Sequence, residues 1–421
     1  MNVITNTAQV NSARGRRTAV AGALLLAALA ASPAHAGPNE QARRIYERIA
    51  GVPPTAADWQ PGGALATMVQ TINSGCGGSS CPAGDPTLVA AAQTATNAAT
   101  FYNVTLKNMV IPWTNRDQTV FAPLNDYAAT VIGMVRDDVD FHTVLDADIL
   151  YKFAGVAGPT VSDNNHYVTA ENNALDMSNP AVLVKTSQSA AYGTPTAATA
   201  GVLTTRGAES SFFINGTNRA MFRYTIMNHF CTDLQTLMDT SRPTDRVRQD
   251  VARSPGGDSR VFLNSCAGCH SGMDPMAQAF AYYNFNGMPV GDGTNTGSMV
   301  YTQGQVQPKY FINSFNFVYG FVTPDDSWSN RWRGGVNASL GWATDSALPG
   351  YGNGAKSLGQ ELEASDAFAQ YQVVKVFTAV CFRAPLNTDQ TAINKIKSGF
   401  TSNGYKLKQV FAQSAAACPG Q

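Results

Sequence analysis

Residues 266–270 read Cys-Ala-Gly-Cys-His, and no other stretch constrains this chain so tightly. Two thiols at C-x-x-C spacing, Cys266 and Cys269, can add to the two vinyl groups of one porphyrin. The adjacent His270 is then held under the iron as proximal ligand, which is the attachment pattern of c-type haem. The chemistry needs all three residues in that order. A C-x-x-C pair can also be a redox dithiol, but that reading expects the motif to open a helix after a strand in a βαβ unit. No such unit is readable upstream. The expectation is one covalent haem c on Cys266 and Cys269.

The N-terminus predicts export. Arg14, Arg16 and Arg17 form a positive region, Ala19 to Ala31 an apolar run, and Ala34-His35-Ala36 a cleavage site before Gly37. The run has 13 residues, short of the ~20 that span a bilayer. The Arg16-Arg17 pair resembles a twin-arginine signal, but the usual hydrophobic continuation is missing, and general secretory export is the expectation. Residues 1–36 are therefore read as a signal peptide. The mature chain is placed in the periplasm, at the cell surface or outside the cell, with no membrane span. The whole sequence balances 29 Lys and Arg against 29 Asp and Glu, and the signal removes three arginines. A slightly acidic mature protein gives no reason to expect nucleic acid or an anionic membrane as partner.

Seven cysteines are present. With two on haem, five are left, and an oxidising compartment favours disulfides among them. Cys76 and Cys81 bracket a flexible Gly-Gly-Ser-Ser loop, and Cys381 and Cys418 sit in an expected C-terminal helical hairpin. These are the simplest pairings, although connectivity is not readable from sequence. Cys231 is the odd thiol.

The pattern along the chain is mainly α. Glu40 to Ala50 predicts a short helix, and Thr55 caps the next segment. Residues 62–86, with six glycines and two cysteines, predict a loop. Helices are expected over Pro86 to Ala99, Asn125 to Arg136, Thr143 to Phe153 and Asn218 to Met238. Residues 155–207 look loop-like and polar. After the motif, Asp274 as N-cap and Pro275 at the first position predict a new helix start. Residues 286–355 predict loops and a small hairpin around Tyr310 to Val322. Ala367 to Phe382, Thr388 to Phe400 and a segment from Leu407 predict the C-terminal helices.

With the motif, its flanking helix and the C-terminal hairpin in hand, the chain resembles the planctomycete-type cytochrome c proteins, an exported bacterial group. Three pieces carry the likeness: Tyr46 to Trp59 (YERIAGVPPTAADW), Cys266 to Gly287 (CAGCHSGMDPMAQAFAYYNFNG) and Phe368 to Ser414. Family members usually carry an acidic residue where this chain has Asn284, and often a cysteine where it has Tyr371. The resemblance implies haem binding and electron transfer and names no substrate. It gives the expected layout: a helical N-terminal domain with polar loops over 37–205, a cytochrome c-like haem segment over 206–300, a loop-rich Gly/aromatic insert over 301–355, and a C-terminal helical domain over 356–421.

A low-spin carrier needs a sixth iron ligand. Met273 and Met276 lie too few residues from His270 to reach the opposite face at about 3.5 Å per extended residue. Met288, before Pro289, is the best placed; Met299, His229, His142 and His166 are weaker candidates, and an open sixth position is the remaining choice. Three functions follow. The first is a monohaem carrier or relay exchanging one electron with a redox partner that the sequence does not identify. The second is a haem enzyme, peroxidase- or oxygenase-like, using His229 or His166 with Arg219 or Arg223. The third is a binding module using Trp328, Trp332 and Trp342. The carrier is the leading expectation over the enzyme.

Overall fold

The structure, a computed structural model, describes residues 37–287, 296–312 and 314–418. The signal segment 1–36 and Met288 lie outside the described residues. The protein is mainly α, with three small two-stranded antiparallel ladders among the described residues. Among the described residues no helix is long and apolar enough to cross a membrane.

Helix α1 (Pro38–Ala50) has proline in its first turn and ends at Gly51, whose φ of 73° lets its N–H reach the Glu47 carbonyl. Its inner face is Ala42, Ile45, Tyr46 and Ile49. Thr55 and Asp58 then form a capping box around a short 3₁₀ turn. The expected loop over 62–86 is corrected: Ala64–Gly75 is a helix, α2, burying Leu65, Met68 and Ile72. The glycines crowd at its ends, so they do not break it. The true loop is 76–85, closed by a Cys76–Cys81 disulfide. Helix α3 (Pro86–Ala95) follows, its first turn capped by the Asp85 carboxylate accepting from Thr87 N–H at 2.8 Å.

Every residue of α4 (Asp126–Arg136) is buried, with Asn125 as the expected cap. Such a helix forms the centre of a larger core, and its polar members are all partnered. Asp126 accepts from the main chain of Tyr127, Arg206 and Gly207 and from the Tyr192 hydroxyl. The expected helix over Thr143 to Phe153 is absent. A 3₁₀ turn, Phe141–Thr143, leads instead to strand β1 (Leu150–Phe153), paired with β2 (Leu183–Thr186). The strand is pressed onto α4 at Gly133, where a side chain would stand 2.2 Å from the Tyr151 ring. The polar stretch after Gly155 also holds a helix, α5 (Asn165–Asn172).

Helix α6 (Arg206–Phe212) precedes α7, which runs over Arg219–Phe230 only. It stops because Cys231 takes a left-handed conformation (φ 48°), eight residues short of the expected Met238. A π-type turn, Phe262–Cys266, then feeds α8 (Ala267–Ala277). Beyond it lie the ladders of β3 (Tyr283–Gly287) with β4 (Gly297–Tyr301), and β5 (Ser327–Ser329) with β6 (Tyr351–Asn353). These replace the hairpin expected near Tyr310 to Val322, where 3₁₀ turns occur instead.

The C-terminal helices are α9 (Gly354–Glu363), α10 (Asp366–Cys381), α11 (Gln390–Ser402) and α12 (Leu407–Ala417). A Cys381–Cys418 disulfide ties the end of α10 to the end of α12. Helix α12 packs on α3 and α1 as well as on α10, and one buried cluster extends from Ala42 to Cys418.

Candidate functional site

Helix α8 places the motif. Cys266 and Cys269 stand one turn apart, both partly exposed and both free, while the other cysteines except Cys231 are paired. Cys266 packs beside Val247, Phe262 and Ala267. The Cys269 sulfur lies 3.7 Å from the Leu234 carbonyl oxygen, and burial pushes its thiol up from the ordinary range.

Asp274 does not cap a helix start. It lies inside α8, and the helix continues through Pro275, which has no N–H to offer the Ser271 carbonyl. The carboxylate is used elsewhere. Asp274 Oδ1 is 3.1 Å from His270 Nδ1, one turn back on the same face. Arg219 from α7 donates to both oxygens, Nε to Oδ1 at 2.6 Å and Nη2 to Oδ2 at 2.8 Å. The Arg248 main-chain N–H adds a contact to Oδ2 at 3.2 Å. On its far side Arg219 also donates to Asp250, at 2.6 and 2.8 Å. Asp274 has no exposed side-chain surface. Burial alone would raise its carboxyl, but Arg219 and His270 hold it well below the usual carboxylate range.

An ionised carboxylate only accepts, so the His270 ring carries its proton on Nδ1 and presents a lone pair on Nε2. No described residue hydrogen-bonds to that Nε2. The arrangement therefore groups two thiol sulfurs about one turn apart with one oriented imidazole nitrogen on the residue after the second, a set that could hold a covalent haem. Val261 and Leu263, just before Cys266 in the chain, are exposed apolar residues. Arg253 is stacked between the Phe262 and Phe317 rings at 4.5 and 5.2 Å, and its Nη1 is buried without a partner.

Two glycines of α8 permit close packing. Gly268 lies against Met238 and Thr240, and at Gly272 a side chain would stand 2.0 Å from Trp332 Nε1. Trp332 is buried, Trp342 donates to its carbonyl at 3.0 Å, and Trp328 donates to Ser357 Oγ at 2.8 Å. The three tryptophans are thus a local core beneath the motif helix, with no open aromatic platform.

The remaining candidates are packed or hydrogen-bonded in other roles. Met273 and Met276 are buried packing residues, and Met299 sits in β4 opposite Phe285. His229 is fully buried, with Nε2 3.0 Å from the Tyr127 hydroxyl, and burial holds it well below the ordinary imidazole range. His166 accepts the Phe153 N–H at Nε2 and meets the Ala157 carbonyl with Nδ1. His142 stacks on Tyr405 at 4.4 Å. Arg219, weighed as a distal arginine, is committed to Asp274 on the proximal side, and Arg223 forms an exposed pair with Asp233. Sequence reading missed Asp274, Asp250 and Arg248. One signal was available: an acid four residues after a histidine shares its helical face.

No protein-family model matches the chain, and neither a characterised protein nor a solved structure is found similar to it.

Proposed function

We propose that this protein is an exported monohaem c-type cytochrome of the planctomycete type, with haem c joined to Cys266 and Cys269 and His270 as proximal iron ligand. When bound, the haem supplies one-electron chemistry at iron. The observation that carries the reading is the state of the motif cysteines. They stay unpaired beside an imidazole whose Nδ1 is fixed and whose Nε2 is free, in a chain that pairs four other cysteines. The surroundings agree. Leu263, exposed three residues before Cys266, would meet an apolar macrocycle.

The reading as a haem enzyme with an open sixth position rests on a different observation. A carboxylate on the proximal histidine makes it a strong donor, and the histidines weighed for the sixth position are committed to partners among the described residues. The optical spectrum separates the two. Low-spin bands in both oxidation states, with the weak far-red band of a methionine–iron bond, support the carrier and Met288 as the sixth ligand. A high-spin spectrum that shifts with peroxide or carbon monoxide puts the enzyme first. Cys266→Ala with Cys269→Ala, expressed in a host that makes c-type haem, should abolish haem staining of the denatured protein. Persistence of covalent haem overturns the reading.

A further inference from the structure

We infer that Asp274, backed by Arg219 and Asp250, is the positioning residue that locks the His270 ring and sets the iron's reduction potential low. This rests on the haem reading above and deepens it. The contact has three properties that an incidental hydrogen bond lacks.

The acceptor is dry. With no side-chain surface open to solvent, Asp274 has no water competing for the His270 proton, and charge interactions at that depth are screened far less than at the surface.

The acceptor is also immobile. The two Arg219 donors and the Arg248 main-chain N–H hold both oxygens, so a rotation of His270 about its side-chain bonds would abandon a fixed partner and leave a buried lone pair unsatisfied. The helical offset of four residues places imidazole and carboxylate on one face, with no slack from a loop.

Finally, the negative charge survives its salt bridge. Arg219 is shared between two carboxylates, Asp274 and Asp250, and the second buried cation, Arg248, stacks on the Tyr310 ring at 4.6 Å, donates to Thr217 and has its Nε 3.8 Å from Asp250 rather than on Asp274. Two acids and two bases balance in the cluster as a whole, yet the group touching His270 is an anion. A full negative charge on the Nδ1 proton raises electron density at Nε2, and a more basic ligand stabilises the more oxidised metal. A backbone carbonyl or a water in the same place would give a weaker donor.

A purely structural role is the competing explanation, since the same cluster ties α7 to α8. Stability therefore cannot be the readout. The test is the midpoint potential of the haem-loaded full-length protein by spectroelectrochemistry, compared with Asp274→Asn and Asp250→Asn. Asn at 274 keeps an oxygen for the His270 proton and removes the charge. The Fe(III)/Fe(II) balance should shift at least tenfold toward Fe(II), about 59 mV upward for one electron. Asp250→Asn leaves the His270 contact intact and lets Arg219 draw harder on Asp274, so it should move the potential upward by a smaller amount. It also keeps the inference open to refutation should the first variant not fold. A potential unchanged or lowered in either variant, or an equal rise in both, which a distance-blind field effect would give, overturns the inference. Absence of covalent haem from the wild-type protein is a different result: it removes the haem reading, and this inference with it.

Discussion

Replacing Gly272 by alanine sets two effects of opposite sign against each other. Gly to Ala in a helix interior stabilises by about 1 kcal/mol on propensity alone. Here the new methyl would stand 2.0 Å from Trp332 Nε1, 2.7 Å from Cε2 and 2.8 Å from Cδ1, so indole and helix must separate by more than 1 Å to reach ordinary contact near 3.5 Å. Trp332 has little room to yield. It is 1 % exposed, the Phe222 ring lies 5.6 Å away, its main-chain N–H donates to Asn330 Oδ1 at 2.9 Å, and its carbonyl accepts from Trp342. Overpacking costs typically 1–3 kcal/mol, and this rigid case belongs near 3, leaving a net loss of about 2 kcal/mol. With a urea slope of about 3 kcal/mol/M, the midpoint should fall by roughly 0.6 M, read by tryptophan fluorescence at equilibrium. Gly268→Ala is the control on the same helix. Its methyl would meet Met238 Cβ at 3.3 Å and Thr240 Cγ2 at 3.5 Å, so propensity should nearly cancel the crowding and the midpoint should hold or rise. A Gly272→Ala midpoint equal to or above wild type would refute the claim that Trp332 is clamped onto the motif helix.

The two disulfides should differ in worth: with separations of 37 and 5 residues, chain entropy gives about 4 kcal/mol for Cys381–Cys418 and about 2 kcal/mol for Cys76–Cys81. Paired alanine variants in urea check this, and a reversed order would show that native packing decides instead. Glu209 is buried, and burial first, then the neighbouring Asp126, holds its carboxyl well above the usual range. The unfolded chain gives up this proton from about pH 4.3 while the fold retains it, so this group costs the wild type about 1.4 kcal/mol per pH unit above that. Glu209→Gln should therefore gain on wild type as the pH rises above that point, with parallel urea profiles as the contrary result. Tyr371→Cys, beside the free sulfur of Cys231, should close a third disulfide, visible as a non-reduced cross-linked peptide and one free thiol fewer than in wild type; one free thiol more would show that the geometry does not allow it.

Local patterns were legible where one element supplied its own evidence. The Asn125 cap and apolar run announced α4, and the C-terminal helices followed from Ile393, Ile396 and Phe400 on one face. Misreadings arose where the deciding partner is distant. Leu150–Phe153 extends because Leu183–Thr186 lies beside it and Gly133 lets Tyr151 approach α4, none of which is a local property. Helix α2 was hidden by a glycine count that ignored position, since its apolar residues Leu65, Met68 and Ile72 keep helical spacing. The motif's donor residues could be read directly. Its support could not: Asp-Pro is a common helix start, and only Arg219, 55 residues earlier in the chain, reveals that the Asp274 carboxylate faces inward.

The packing of α12 against α1 and α3 also bears on the order of events during synthesis. The apolar face of α1 appears first and part of its covering surface last, and Arg48 donates to the carbonyl of Cys418, 370 residues away. That seam cannot close until α12 has been made, so the contacts that finish burying the inner face of α1 are among those formed late in synthesis.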